Sequence, residues 1–414
     1  MAAYRPLIII AALLALLFFY LLFERLLIDR RLHRVKLRIA VTGTRGKSSV
    51  TRLIAAALRE SGRRVVAKTT GSAAMVILPD GSEQEIPRVG PPSILENRSI
   101  LRLAARHKAD TLVSEMMSIT AECLRVEARK LLKPGLLIIT NVRLDHWEEQ
   151  GRTREEIVRS LAVALCPDCT VLVPNEDALP ELERAAGRVG AKITRLSADN
   201  TPKIPDEVSA LLPMEFEDNI RLALAALEFC GVERAVAWRG MAGARPDAGG
   251  LKIFRAKIGS PPAPWLLVSA FAANDPESSR LALTKLQGLT RSFPGKRRAI
   301  LNLRDDRGGR TVQWLDALRA GFFSEFNRVV LVGSPAVAAL RRRARRIGKR
   351  TRMPERHIAV LSERSPEKIT AAMAADADSV PGGVIIGLGN MGGLGRGLVE
   401  YWEQIGERME HDLA

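Results

Sequence analysis

The sequence predicts an α/β protein: an N-terminal transmembrane helix, then a parallel-sheet domain built around a phosphate loop, then a second, smaller α/β domain. Three observations carry this. Residues 6–23 hold no charged side chain and are rich in Leu, Ile, Ala and Phe. Behind them, short apolar runs alternate with stretches of helical periodicity, the pattern of a parallel sheet covered by helices. The first of those runs leads into Gly43-Thr44-Arg45-Gly46-Lys47-Ser48-Ser49 and then a helix.

Length and composition agree with this class. The chain has 414 residues, 47% hydrophobic and 26% charged, enough for two or three packed domains and incompatible with wholesale disorder. Lys and Arg number 63 against 46 Asp and Glu, a net charge of +17, so an anionic partner or substrate is expected. The four cysteines, Cys123, Cys166, Cys169 and Cys230, are too scattered for a disulfide framework and fit a reducing compartment.

Taken in order, the apolar run approaches the length needed to cross a bilayer. Arg25, Arg30, Arg31, Arg34, Lys36 and Arg38 follow it against Glu24 and Asp29, which by the positive-inside rule puts the rest of the chain in the cytoplasm. A cleaved signal peptide would need a small-residue cleavage site, and Phe23-Glu24-Arg25-Leu26-Leu27 stands there instead. Residues 1–36 thus read as a single-pass membrane anchor with a basic linker.

The next unit spans residues 37–245. Strands are expected at 37–42, 65–67, 111–114, 136–140 and 171–173, and helices after the phosphate loop, at 93–107, at 154–165 and at about 214–229. Residues 240–250, rich in Gly and Pro, read as an interdomain connection. Over 246–414 the alternation restarts, with strands near 266–270, 299–303, 329–332 and 384–386. The run Arg341-Arg342-Arg343-Ala344-Arg345-Arg346, continued by Lys349, Arg350 and Arg352, is either a solvated helix face or a polyanion contact. No aromatic residue lies between Phe326 and Tyr401 to stack on bases, so nucleic acid is not an expected partner.

The chemistry concentrates at strand ends. A strand, a tight glycine loop and a helix N-terminus form a phosphate cradle, in which Lys47 reaches the β- and γ-phosphates and Ser48 offers a hydroxyl to Mg²⁺. The full eight-residue P-loop pattern is not met, because Val41 occupies the position of its first glycine. Glu115 follows one predicted strand, and Asn141, Asp145 and His146 follow another. Ligands of open parallel sheets bind beyond the carboxyl ends of strands, where these residues fall. A hard divalent cation bridging phosphates needs oxygen ligands such as Ser48 and Glu115.

Residues 42–49, Ser114-Glu115 and Asn141-Val142-Arg143-Leu144-Asp145-His146 resemble, in order and context, the ATP-binding signatures of the Mur-ligase superfamily of ATP-dependent amide ligases. The likeness extends to the Mur-ligase-like catalytic subunits of poly-γ-glutamate synthase through Lys68-Thr69-Thr70-Gly71, residues 271–275, Asn302-Leu303-Arg304-Asp305-Asp306-Arg307 and Gly387-Leu388-Gly389-Asn390, nearly the whole chain. It implies a P-loop-type ATP-binding domain followed by a Rossmann-like ligase domain. It also implies activation of a glutamate carboxylate as an acyl phosphate and its capture by an amine.

In that scheme Gly43, Thr44, Arg45, Gly46, Lys47, Ser48, Ser49 and Asn219 bind ATP. Ser48, Glu115 and His146 serve the metal. Lys47, His146, Asp275, Arg304 and Arg307 take part in catalysis, the two arginines as carboxylate clamps. The implied partners are ATP, Mg²⁺, glutamate and the growing poly-γ-glutamate chain, the membrane, small integral-membrane synthase and export subunits, and a possible second copy of the chain.

Two departures stand out. No lysine occurs between Lys133 and Lys192 to supply the carbamylated metal ligand of many Mur ligases, and the UDP-binding N-terminal domain of the peptidoglycan ligases has no counterpart. Four other readings compete: a glutamate ligase of folylpolyglutamate type, a membrane-tethered basic protein that binds polyanions without ligase activity, a metal or redox pair at Cys166-Pro167-Asp168-Cys169, and a dinucleotide site at Gly387-Leu388-Gly389-Asn390-Met391-Gly392. The last lacks chain for the rest of its βαβ unit, and the cysteine pair lacks further ligands.

Overall fold

The computed structural model describes residues 5–71, 73–88, 90–144, 147–197, 199, 201, 203–247, 249–304, 308–333, 358–375 and 382–409. Asp145, His146, Asp305, Asp306, Arg307 and the basic run 341–352 lie outside the described residues.

The first helix, α1 (Arg5–Arg34), is long and apolar enough to cross a membrane, and its apolar stretch is exposed. The basic stretch expected as a linker is instead the last turns of this helix. Ile28, Leu32 and Val35 recur at helical spacing and bury themselves in the first core, so an amphipathic end continues the apolar rod.

β1 (Leu37–Thr42) follows at once, then α2 (Lys47–Glu60), β2 (Val65–Thr69), β3 (Met75–Ile77), β4 (Glu83–Glu85), α3 (Glu96–Arg106), β5 (Thr111–Glu115), β6 (Leu136–Ile139), β7 (Thr170–Pro174) and β8 (Lys192–Leu196). They form an eight-stranded sheet in the order β4-β3-β2-β5-β1-β6-β7-β8. β1 lies between β5 and β6, parallel to both. Buried on both faces, its Ile39, Ala40 and Val41 read as a continuous apolar run rather than an alternating one. One face packs on α1 and α3; the other packs on α2 and helices Glu217–Phe229 and Arg234–Ala242.

The sheet is mixed rather than parallel throughout, because β3 and β4 add an antiparallel hairpin at one edge. These strands are three residues long, too short to show a period. Gly240, expected in the interdomain connection, sits inside helix Arg234–Ala242, where any Cβ would overlap the Ala57 backbone of α2. It is a packing glycine, and the connection begins after that helix.

The second sheet comprises β9 (Lys252–Ile258), β10 (Ala263–Ser269), β11 (Lys296–Leu303), β12 (Arg328–Gly333), β13 (Ile358–Val360), β14 (Gly383–Gly389) and β15 (Glu407–Arg408), in the order β13-β12-β11-β14-β10-β9-β15. β10, β14, β11, β12 and β13 run parallel, while β9 and β15 add antiparallel edges. Apolar clusters cover both faces, anchored by the buried Trp314 on one and Trp265 and Trp402 on the other.

Candidate active site

The phosphate loop joins β1 to α2. Gly43 (φ +117°) and Gly46 (φ +79°) adopt conformations that side chains disfavour, and both are hemmed in: a Cβ on Gly43 would overlap Thr140, and one on Gly46 would overlap the Asn219 amide. The turn thus closes tightly enough to aim the first N–H groups of α2 outward, where the helix dipole favours an anion. Lys47 Nζ curls over the loop and donates to the carbonyls of Gly43 (2.7 Å) and Thr44 (3.3 Å).

The segment after β6 braces this loop. Asn141 accepts from the Arg45 amide (3.0 Å) through Oδ1 and donates to the Arg45 carbonyl (3.0 Å) through Nδ2. The Thr44 amide donates to the Asn141 carbonyl at 3.0 Å. From the opposite side, Asn219 Nδ2 donates to Glu215 (2.6 Å). Burial holds the Glu215 carboxyl above the usual carboxylate range, against the Asn219, Phe216 and Ser49 hydrogen bonds that oppose the rise.

Ser48, in the first turn of α2, donates to Glu115 Oε2 at 2.7 Å, and the Thr70 amide donates to the same oxygen at 2.7 Å. Glu115 is buried at the end of β5, next to β1 in the sheet. A hydroxyl and a carboxylate beside a phosphate loop are the hard oxygen donors Mg²⁺ requires, so the donor chemistry here fits that ion, with phosphates and water as its other ligands. Among the described residues no group of three or more His, Cys, Asp and Glu could hold a metal without such help.

One group near this pair carried no sequence signal. Asp247 comes from the stretch expected to be mere connection. Gly71 lies between it and Ser48, since a Cβ there would stand 2.5 Å from Ser48 Oγ and 3.3 Å from Asp247 Oδ2. Burial raises the Asp247 carboxyl pKa, with the neighbouring Glu115 and Glu83 adding to the rise and the Gly249 amide and Arg52 opposing it.

Beneath Glu115, the fully buried Lys68 Nζ lies 3.3 Å from Asn97 Oδ1 and 3.7 Å from Glu96. Asn97 donates to Glu127 at 2.9 Å, and Glu127 accepts from the Ser118 amide and hydroxyl at 3.1 and 2.6 Å. This network fixes the segment after β5 from behind. Burial lowers the Lys68 pKa, and Glu127, Glu96 and Glu115 oppose that fall.

The second sheet closes the other side of a cleft of about 860 Å³. Asp275 caps helix Pro276–Lys285, accepting from the Ser278 amide at 2.8 Å, and its other oxygen accepts from Arg45 Nε at 2.9 Å. It therefore ties the phosphate loop to the second domain and is not among the residues that line the cleft. Arg143 reaches across to Ser278 (3.3 Å), and Gln313 Nε2 donates to the Leu144 carbonyl (3.3 Å). Arg304 lines the cleft, together with Arg310 and Arg396, which had no sequence signal. Arg310 donates to Asn390 Oδ1 at 3.3 Å.

The structure thus gathers the phosphate loop, Ser48, Glu115, Asn219 and Arg304 around one cleft. The glycine motif 387–392 does other work: a Cβ on Gly387 would overlap the Phe271 ring, and one on Gly392 would overlap Arg304. Cys166 and Cys169 are buried thiols, with burial pushing Cys166 up to about 12, so this pair is structural.

Residues 41–210 match the Mur ligase middle domain and residues 257–405 match the C-terminal domain of the poly-gamma-glutamate synthase CapB. The chain thus combines a Mur ligase middle domain with a CapB C-terminal domain. Together the two matches take in most of the chain, one on each sheet. It is 32% identical over 302 residues to the capsule biosynthesis protein CapB of Bacillus anthracis, a match covering 72% of this chain and 64% of that relative, just under two thirds of its length. It is 28% identical over 383 residues to PGA synthase CapB of Bacillus subtilis, covering 90% of this chain and 93% of that one. In fold it is similar to the Yersinia pestis bifunctional folylpolyglutamate synthase/dihydrofolate synthase complexed with AMPPNP and Mn (TM-score 0.61, 17% identity, 91% and 92% of the two chains).

Proposed function

We propose that this protein is an ATP-dependent, ADP-forming amide ligase of the Mur-ligase superfamily that polymerises glutamate into poly-γ-glutamate, anchored in the membrane by α1 with its two domains on the cytoplasmic side. One observation carries the reading: a phosphate loop with its Ser48–Glu115 pair faces, across a single cleft, a second domain that presents Arg304, Arg310 and Arg396. The first half suits a nucleoside triphosphate, and the guanidinium forks suit the carboxylates of glutamate and its polymer. The CapB matches support the substrate, and the net charge of +17 suits a polyanionic product.

In the proposed reaction the γ-phosphoryl group passes to a glutamate carboxylate, giving an acyl phosphate and ADP. An amine then attacks the acyl carbon, phosphate leaves, and the nitrogen loses a proton to give the amide. Lys47 swings from its loop carbonyls to the transferring phosphoryl group, which the loop amides already hold. Ser48 and Glu115 would hold Mg²⁺, which when bound would neutralise phosphate charge. The arginines hold carboxylates so that the amine meets the acyl carbon. The Arg45–Asp275 pair keeps the domains in register. For His146 and Arg307, outside the described residues, the proposed roles are those the resemblance implies, service to the metal and to a carboxylate. Small integral-membrane subunits would carry the polymer outward.

The packing of Ile28, Leu32 and Val35 into the core supports an anchor rather than a cleaved leader, since cleavage near residue 23 would cut directly before a docked segment. The test is glutamate-dependent release of ADP and phosphate by membranes containing the protein and its membrane partners, in wild type, Lys47→Ala and Glu115→Ala. Glutamate-dependent release that yields γ-linked polymer and disappears in both variants supports the ligase. A few residues added to a small acceptor would favour the folylpolyglutamate-type reading. ATP left untouched by glutamate refutes both.

A further inference from the structure

The direction in which α1 docks decides which end of the catalytic unit meets the membrane. α1 ends at Arg34 and β1 begins at Leu37, so the helix runs back against the strand. Contacts at three levels agree. At the foot of the sheet, the Arg38 guanidinium donates to the carbonyls of Leu32 (3.2 Å), Val35 (2.7 Å) and Lys133 (2.8 Å). Higher up, Asp29 pairs with Lys133 at 2.6 Å. At the top, Glu24 pairs with Arg98 in the first turn of α3. That turn belongs to the carboxyl ends of the strands, because its Asn97 lies 3.3 Å from Lys68 Nζ near the end of β2 and 3.5 Å from Ser114 Oγ near the end of β5.

The levels can be compared. From Val35 back to Glu24 the helix rises about 16 Å, and β1 spans about 20 Å. Glu24 therefore stands nearly level with Thr42, where the phosphate loop starts, and the charge-free stretch begins one residue away, at Phe23. The junction is not a hinge: Ile28, Leu32 and Val35 share one core with Ile100, Leu101 and Ala104 of α3.

We infer that the carboxyl end of the first sheet, and with it the phosphate loop, faces the bilayer, and that the turn leading into α3 is a contact surface for anionic lipid headgroups. The inference rests on the reading of α1 as a membrane span. Leu95, 49% exposed one turn before Arg98, is the apolar point of this surface; Arg88 pairs with the adjacent Glu96 and Arg98 with Glu24, while Arg25 follows Glu24 in the chain and Arg102 stands one turn after Arg98 on α3. An apolar residue among arginines beside a membrane helix matches the headgroup layer, where basic groups gain from anionic lipid. Arg106, at the other end of α3, faces away from the bilayer. The nucleotide cleft, and a polymer made in it, would then lie beside the membrane.

The test uses the full chain in vesicles of phosphatidylglycerol and phosphatidylcholine, with a photocrosslinking amino acid placed at Leu14, Leu95 or Arg106, all outside the packed core. Lipid adducts are expected at Leu14 and Leu95 and at background level at Arg106, and the Leu95 adduct falls several-fold when phosphatidylglycerol is omitted. Adducts at Leu14 and Arg106 but not Leu95 would overturn the orientation. Adducts at Leu14 alone would overturn the contact surface, and a Leu95 yield indifferent to phosphatidylglycerol would overturn its preference for anionic lipid. No adduct at Leu14 would remove the membrane span itself, a failure distinguishable from the others.

Discussion

Asp275 serves two structures at once, and two substitutions separate them. Its Oδ1 accepts from the Ser278 amide at 2.8 Å, capping helix Pro276–Lys285, while its Oδ2 accepts from Arg45 Nε at 2.9 Å across the cleft. Asn caps a helix about as well as Asp, so Asp275→Asn keeps the cap and removes the charge pair, whereas Asp275→Ala removes both. The cap is worth about 1 kcal/mol. A hydrogen bond between charged groups contributes about 1.5–3 kcal/mol, and the side chains here are 16% and 4% exposed, so screening is slight. The expected losses are thus about 2 kcal/mol for Asp275→Asn and about 3 kcal/mol for Asp275→Ala. The difference between them corresponds to about 2–4 °C in the unfolding of a domain of about 150–250 residues. Fluorescence of the buried Trp265, Trp314 and Trp402 follows the second domain through thermal or urea unfolding. Arg45→Met should match Asp275→Asn, and the double variant should fall short of the sum by about 1–3 kcal/mol. Equal unfolding of the Asn and Ala variants would refute the cap, and strict additivity would refute the interdomain pair.

Other positions yield sharper functional readouts. Gly46→Ala forces a side chain into a left-handed conformation, costing about 1–2 kcal/mol, and drives its Cβ into Asn219, so nucleotide binding measured with a fluorescent ATP analogue should be lost. Glu115→Gln keeps an oxygen to accept from Ser48 and Thr70, so stability should change by less than about 1 kcal/mol; Mn²⁺ uptake followed by electron paramagnetic resonance should weaken far more. Lys68 binds its proton less tightly when folded than the 10.5 of the free side chain. Between that lowered value and 10.5 the unfolded chain holds more protons, so stability rises with pH across this window. Lys68→Met should flatten that rise in urea unfolding measured at increasing alkaline pH, and an unchanged slope would count against the buried ammonium.

Much of the fold was legible because its signals are local. β1, β5 and β6 are short, doubly buried runs, and the phosphate loop needs two glycines and a lysine at neighbouring positions. Ser48, in the phosphate loop, and Glu115, at a strand end, were legible as candidate ligands of one cation, and the structure brings them to 2.7 Å. What escaped had no period or motif. β3, β4 and β15 are too short to alternate, and Gly240 looks like a loop glycine until the backbone of α2 is seen beside it. Asp247, Arg310 and Arg396 lie far apart along the chain and meet only because two sheets close on one cleft.

By itself the sequence determined the elements: an apolar rod, a glycine loop between strand and helix, two runs of alternating strands and helices, and a strongly basic surface. These follow from side-chain periodicity and backbone freedom, which act over a few residues. Only the tertiary structure decided that Asp275 ties the phosphate loop to the second domain, that Lys68 supports the segment behind Glu115, and that α1 continues as a docked helix. Each depends on burial, where leaving a charge or an apolar face unpartnered costs more than ordering the chain that pairs it. That cost is set by neighbours distant in sequence, so no local pattern carries it.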